Sequence, residues 1–357
     1  MRETYGVSNE KTALAITIAN REKALLQDLD YENGYSLYVG IPFCPSICLY
    51  CSFGSHPLER WTKRVDEYLD TLCKELTFIR EQMGARKLTT VYIGGGTPTT
   101  LEPEQLRRLL SHIQETFDFT WVKEYTVEAG RPDSITREKL QVMKEFPVTR
   151  ISVNPQTMNQ KTLDVIGRKH TVEDTVNIFH MARELEFDNI NMDLIIGLPG
   201  EGKEEVAHTL QEVEKLHPDS LTIHSLALKR ATRLNLFKDK YEEMSFENSK
   251  EIMEMTQQCA ENMGMGPYYL YRQKNIAGNF ENVGYAEVDK AGIYNILIME
   301  EKQTILAAGA GASTKFVFEH GTRIERVENV KDVNNYILRI DEMLERKRVG
   351  IQKYLNG

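Results

Sequence analysis

From residue 35 onward, short apolar runs alternate with stretches whose apolar positions recur every three or four residues. Residues 35–41 read as an apolar strand stopped by Pro42. Over 59–80, Trp61, Val65, Tyr68, Leu69, Leu72, Leu76 and Ile79 fall on one helical stripe. Residues 89–93 form a β-rich run ended by three glycines. Helix is then expected over 103–116, strand over 125–128, helix over 136–145 and strand over 149–153. Helices near 160–166 and 172–185 precede a strand at 190–196, a helix at 202–215 and a strand at 220–226. That is a β-then-α rhythm repeated six times through about residue 264. Short strands joined by helical crossovers require a parallel sheet, closed or partly closed as a barrel, so the fold class is α/β. Beyond 265 the rhythm changes, and 294–299 looks like an antiparallel strand. The expected division is a polar helical segment at 1–30, a barrel unit at 31–265 and a smaller α+β appendage at 266–357.

Polar or glycine-rich punctuation follows the strands. A cysteine loop comes after the first and Gly94-Gly95-Gly96-Thr97-Pro98 after the second. Glu128 ends the third, Asn154-Pro155-Gln156 follows the fourth, and Asp193 lies in the fifth. In a parallel β/α barrel these positions share one rim, where such enzymes keep their chemistry.

The run Cys44-x3-Cys48-x2-Cys51 carries the most chemical information. Three thiolates can hold three irons of a [4Fe-4S] cluster and leave the fourth open to a ligand. A zinc site with His56 as fourth ligand is the competing metal reading, and free buried thiols the plain one. Gly94 to Gly96 allow backbone to approach a ligand closely, or simply make a tight turn. Glu128, Gln156, Arg168 and Asp193 together could bind a zwitterion bearing a ribose, through carboxylate–hydroxyl and guanidinium–carboxylate pairs. Tyr38 and Tyr50 could pack on a purine or a cluster edge. Cys73 and Cys259 read as buried hydrophobes. His224 faces either the cavity or the core. Tyr268, Tyr269 and Tyr271 beside Arg272 and Lys274 suit a flat anionic ligand or packing between the barrel and the appendage.

Composition narrows the setting. The 357 residues are 41% hydrophobic, enough for a large core, and carry a formal net charge of -9, which disfavours nonspecific nucleic-acid binding. The run Arg346-Lys347-Arg348 reads as a solvated helix face. The first residues do not resemble a signal peptide, and no apolar stretch is long enough to span a bilayer. Five cysteines, three of them clustered, point to a reducing cytoplasm.

Ile41-Pro42-Phe43 before the cysteines, then Gly94 to Pro98, resemble the radical S-adenosyl-L-methionine superfamily. Gly167-Arg168, Asp193 to Pro199 and Gly309 to Ser313 narrow this to the oxygen-independent coproporphyrinogen III oxidase (HemN) group. Cys51-Ser-Phe and the stretches 224–229 and 269–278 look most like its HemZ branch. The resemblance implies a partial (β/α)6 radical SAM barrel with a smaller C-terminal α+β appendage. It also implies a [4Fe-4S] cluster on Cys44, Cys48 and Cys51, and S-adenosyl-L-methionine held by Tyr38, Gly95, Gly96, Thr97, Glu128, Gln156, Arg168, Asp193 and Ala227, to which the position of Tyr50 inside the cysteine loop adds a further candidate cofactor contact. The implied reaction is oxidative decarboxylation of coproporphyrinogen III propionates to vinyls. The implied partners are coproporphyrinogen III or a related tetrapyrrole and an electron donor of flavodoxin or ferredoxin type. HemN proper has a fourth cysteine where this chain has Phe53, a feature of the heme-chaperone (HemW) branch. The His-Asn…Tyr-Trp motif of that branch is absent from 279–285. Members of the HemZ branch are expected to carry an extra N-terminal region.

Overall fold

The computed structural model describes residues 7–356 apart from 53, 55, 228, 230–231, 237–245, 275, 277 and 279. Phe53, Leu228, Asn275, Ala277 and Asn279, which fall in the stretches quoted for the resemblance, lie outside the described residues.

Helix α1 (Asn9–Leu25) leads into strand β1 (Gly34–Ile41). The short strands β2 (Phe43–Cys44) and β3 (His56–Pro57) pair in parallel and bracket the cysteine loop. Then come α2 (Val65–Met83), β4 (Lys87–Gly95), α3 (Pro103–Thr116), β5 (Glu124–Gly130), α4 (Arg137–Lys144) and β6 (Arg150–Val153). They are followed by α5 (Gln160–Val165), α6 (Val172–Glu184), β7 (Ile190–Ile196), α7 (Lys203–Leu216), β8 (Ser220–Ser225), α8 (Arg233–Leu236) and α9 (Lys250–Asn262). The remainder is β9 (Gly266–Tyr271), β10 (Asn282–Ala286), α10 (Ile293–Met299), β11 (Thr304–Ala308), β12 (Ser313–Phe318), β13 (Arg323–Glu328), α11 (Val333–Leu338) and α12 (Ile340–Asn356).

The strands form one sheet in the order β13-β12-β11-β1-β4-β5-β6-β7-β8-β10-β9. From β11 to β8 all pairing is parallel, and the strands beyond each end are antiparallel. No pairing among the described residues joins β13 to β9, so the barrel is partial. Strand alternation gives the sheet two faces. Leu37, Val39, Val91, Ile93, Val127, Ile151 and Leu194 are buried in the main hydrophobic core. On the other face polar side chains pair across and along the strands: Thr90 with Ser36, Tyr92 with Glu128, Arg150 with Ser220, and Asn191 with both Asp193 and Thr222. Local chemistry starts the helices as the pattern expects. In α3, Pro103 sits in the first turn and the Gln105 side chain accepts from the Glu102 backbone N–H at 3.0 Å.

Three expectations need correction. Residues 293–299 are α10, not a strand; seven mostly apolar residues cannot be assigned by periodicity alone, and Tyr294, Ile296 and Leu297 are its buried positions. The stripe at 59–80 becomes regular helix only from Val65, because two 3₁₀ turns come first and Trp61 lies between them. Lys347 is not solvated. Its side chain is 0% exposed and pairs with the equally buried Glu75, at 2.5 Å. The phase of α12 explains this, since Met343, Leu344, Lys347 and Ile351 share its buried face. Glu75 also accepts from Gly309 N–H (2.9 Å), Asn329 Nδ2 (2.8 Å) and the Tyr336 hydroxyl (2.6 Å). This network ties α2 and α12 to the loop Gly309 to Ala312.

Candidate active site

The parallel strands deliver their C-terminal ends to one rim, and the loops there interlock. Gly96 N–H donates to Ile41 O and Thr97 N–H to Phe43 O, both at 2.7 Å, so the glycine loop is laced to the cysteine loop. A Cβ on Gly96 would meet Phe43 O at 2.5 Å and Cys44 Sγ at 3.0 Å, which requires glycine there. On the other side Leu49 N–H donates to Ile166 O at 2.9 Å, and Ser46 Oγ to Gly167 O at 3.0 Å. The cysteine loop is therefore held from both flanks by main-chain bonds.

Cys44, Cys48 and Cys51 line one cavity of about 310 Å³. Tyr50, Gly95, Gly96, Thr97, Glu128, Gln156, Arg168, Asp193 and Ala227 line it too. Tyr38 does not. It lines an adjoining cavity of about 350 Å³ that shares Gly95 and Gly96 as a wall. Its ring begins a stack with Tyr92 (6.3 Å) and Tyr294 (4.4 Å further on). Of the residues left open above, His224 and Tyr271 face the cysteine cavity, with His224 Nδ1 2.9 Å from the Tyr271 hydroxyl. Tyr268 and Tyr269 are packing residues, and Arg272 lies 3.6 Å from Glu281. Cys73 and Cys259 are not part of the cavity, and Cys259 Sγ donates to Leu210 O at 3.7 Å.

The polar groups are individually constrained. The Glu128 carboxylate accepts from the Tyr92 hydroxyl, and burial pushes its pKa up to about 7. Burial also pushes the Asp193 carboxyl up, but His224 (3.8 Å) and Asn191 Nδ2 (2.7 Å) outweigh it and hold the group below the usual range. Gln156 takes a positive φ of 71°, and its backbone bonds to both Asp193 and Ile195 (3.0 Å each), which fixes its side chain at the rim. Arg168 donates to Asn154 O at 2.6 Å and to the Tyr50 hydroxyl at 3.3 Å.

The residues fit an iron–sulfur cluster and a polar cofactor. Burial pushes the Cys44 thiol up to about 11, so a thiolate there calls for an adjacent cation. Among the described residues no three His, Cys, Asp or Glu side chains converge on a single ion. A cubane suits that spread, because each thiolate binds a different iron. The zinc alternative loses its fourth ligand, as the His56 ring lies against Trp61 and near Lys331 O rather than in the cavity. Asn154 Oδ1 and Arg168 Nε are buried with no hydrogen-bond partner among the described residues, leaving polar capacity for a ligand.

Sequence reasoning missed Arg131 and Tyr92. Arg131 follows Gly130 at the end of β5 and donates to Cys48 Sγ at 3.4 Å. An arginine just past a strand-ending glycine on this rim was the available signal.

A partial parallel barrel with three cysteines at its C-terminal rim defines a class, and the comparisons agree. The radical SAM superfamily model matches residues 38–213, and the chain belongs to that superfamily. Its cofactors are accordingly a [4Fe-4S] cluster and S-adenosylmethionine. The chain is 43% identical over 351 residues to the oxygen-independent coproporphyrinogen-III oxidase-like protein HemZ of Bacillus subtilis, covering 97% of this chain and 70% of that protein. It is 37% identical over 198 residues to the heme chaperone HemW of the same species, covering 55% of this chain and about half (52%) of that protein. The solved coproporphyrinogen III oxidase (HemN) of Escherichia coli superposes with a TM-score of 0.71 at 25% identity, over 90% of this chain and 73% of that one.

Proposed function

We propose that this protein oxidatively decarboxylates propionate side chains of coproporphyrinogen III, or a closely related tetrapyrrole, to vinyl groups. The observation that carries the reading is the cavity in which Cys44, Cys48 and Cys51 meet Gly95 to Thr97, Glu128, Gln156, Arg168 and Asp193. Similarity to HemZ over nearly the whole chain supplies the substrate class. When bound, the cluster and S-adenosylmethionine supply an electron and a hydrogen-abstracting carbon radical.

The chain's own residues bind, orient and shield. The three cysteines ligate three irons. Gly95 and Gly96 let the backbone approach the methionyl end. Glu128 and Asp193 accept from the ammonium and ribose hydroxyls, and Arg168 pairs with the carboxylate. Tyr50 flanks the cofactor, while Gln156 and Ala227 complete the cradle. Prior alignment of the sulfonium and the reacting side chain removes the entropy cost of a bimolecular encounter. In this reading 31–265 is the catalytic unit, and the reductant is a flavodoxin- or ferredoxin-type protein. No helix among the described residues is long and apolar enough to cross a membrane.

The test is anaerobic reconstitution followed by mass spectrometry for 5'-deoxyadenosine and porphyrins. Vinylated product from wild type, and none from Cys48→Ala, supports the proposal. A heme Soret band with no decarboxylation would instead support the chaperone reading, which draws on the similarity to HemW.

A further inference from the structure

We infer that Arg131, clamped by Asp133, is a positioning residue that raises the reduction potential of the cluster through Cys48. The Arg131 side chain is 4% exposed at the end of β5. Its Nη1 donates to Cys48 Sγ at 3.4 Å and to Ser46 O and Ser46 Oγ at 3.0 Å each. The opposite edge of the guanidinium is held by both Asp133 oxygens, Nε at 3.0 Å and Nη2 at 2.7 Å. This two-point grip fixes the plane of the guanidinium and so aims Nη1 at the sulfur. Behind Asp133, the His170 ring is 1% exposed, with Nδ1 3.9 Å from Asp133 Oδ1. Burial and the charge of Arg168 hold this imidazole neutral, with a pKa near 4.

The electrostatic consequence has a definite sign. A [4Fe-4S] cluster that accepts one electron gains one negative charge, shared by its irons and sulfurs. A donor N–H with a full positive charge at a ligand sulfur stabilises that state more than the oxidised one. Asp133 works in the opposite direction from one layer further out, so it aims the guanidinium while offsetting part of its field. A plain loop clamp through Ser46 would hold the cysteine loop without moving the potential.

The experiment uses the full chain, reconstituted without oxygen and with neither S-adenosylmethionine nor tetrapyrrole present, so its readout does not depend on the proposed reaction. Potentiometric titration is followed by electron paramagnetic resonance of the reduced cluster. Arg131→Met is expected to lower the equilibrium constant for one-electron reduction about tenfold, equivalent to 59 mV. Asp133→Asn is expected to shift it in the opposite direction, and Arg131→Lys to fall between Arg131→Met and wild type. Loaded variants that all share the wild-type potential overturn the inference. Should Arg131→Met fail to hold iron, Arg131→Lys and Asp133→Asn decide the matter by the same criterion. A wild-type chain that takes up no iron would refute the cluster assignment itself, a separate failure.

Discussion

Replacing Gly96 by alanine tests how the cavity is built, because a single methyl group should prise two loops apart. Its Cβ would lie 2.5 Å from Phe43 O and 3.0 Å from both Cys44 Sγ and Ile41 O, whereas ordinary contact begins near 3.4 Å. Two of the three obstructing atoms are backbone, so relief requires moving one loop by about 1 Å in a close-packed interior. Those oxygens also accept the 2.7 Å bonds from Gly96 and Thr97 that join the loops. Overpacking costs about 1–3 kcal/mol, and weakening the two bonds adds about 0.5–1.5 kcal/mol each. The expected loss is therefore about 2–6 kcal/mol of stability, concentrated at the cysteine loop. Urea unfolding of the iron-free chain measures the first quantity, and iron and sulfide content after anaerobic reconstitution measures the second. Gly95→Ala is the companion variant; its Cβ contacts are longer, at 3.1–3.3 Å, but its φ of +109° adds backbone strain. A Gly96→Ala protein with native stability and full iron content would refute the reasoning.

Lys347→Met leaves Glu75 buried without its cation and should cost about 3–5 kcal/mol in urea unfolding, with much of the loss recovered in the Glu75→Leu/Lys347→Met pair. No recovery in the pair would mean that the bonds from Gly309, Asn329 and Tyr336 to Glu75 matter more than the charge pairing. Glu128 imposes a pH dependence of definite sign. Its folded pKa near 7 lies above the 4.5 of the free group, so its destabilising effect is absent below pH 4.5, grows as pH rises to 7, and is constant above. At about 1.4 kcal/mol per pH unit the ceiling is about 3 kcal/mol. Thermal melts of the iron-free chain at pH 5 and 7.5 should therefore differ, with Glu128→Gln reducing the difference and Glu22, also raised to about 7 by burial, supplying some of the remainder. Arg168→Met should weaken S-adenosylmethionine binding about 10–100-fold in equilibrium dialysis with iron content unchanged; an unaltered affinity removes Arg168 from the proposed carboxylate site.

The parallel strands were legible because each is an apolar run closed by a polar residue or glycine at the same end, a pattern set by local chemistry. The cysteine loop, the glycine triplet and the rim polar groups followed from that register, and the structure gathers the three cysteines, Gly95 to Thr97 and the rim polar groups at one cavity without Tyr38. Tyr38 lies around the corner because its ring joins the aromatic stack with Tyr92 and Tyr294. That stack depends on α10, a helix whose apolar composition resembles a strand. Lys347 was misread because charge carries no information about helical phase unless the neighbouring apolar positions are counted with it. Arg131 was overlooked because its partners, Ser46 and Cys48, are far away in sequence. The pairing of β11 beside β1 is equally long-range, and nothing local in residues 304–308 specifies that neighbour.

That last pairing bears on how the protein is made. β1 leads directly into the cysteine loop, yet the strand on its outer flank is translated far later; Ser36 meets its Gln303 partner 267 residues downstream. At roughly 5–20 residues per second, a ribosome needs about 15–50 s to supply it. Throughout that interval the nascent sheet has an unprotected border next to its most oxidisable side chains. The cysteine loop thus gains its full structural shelter only once β11 has been made and has paired with β1.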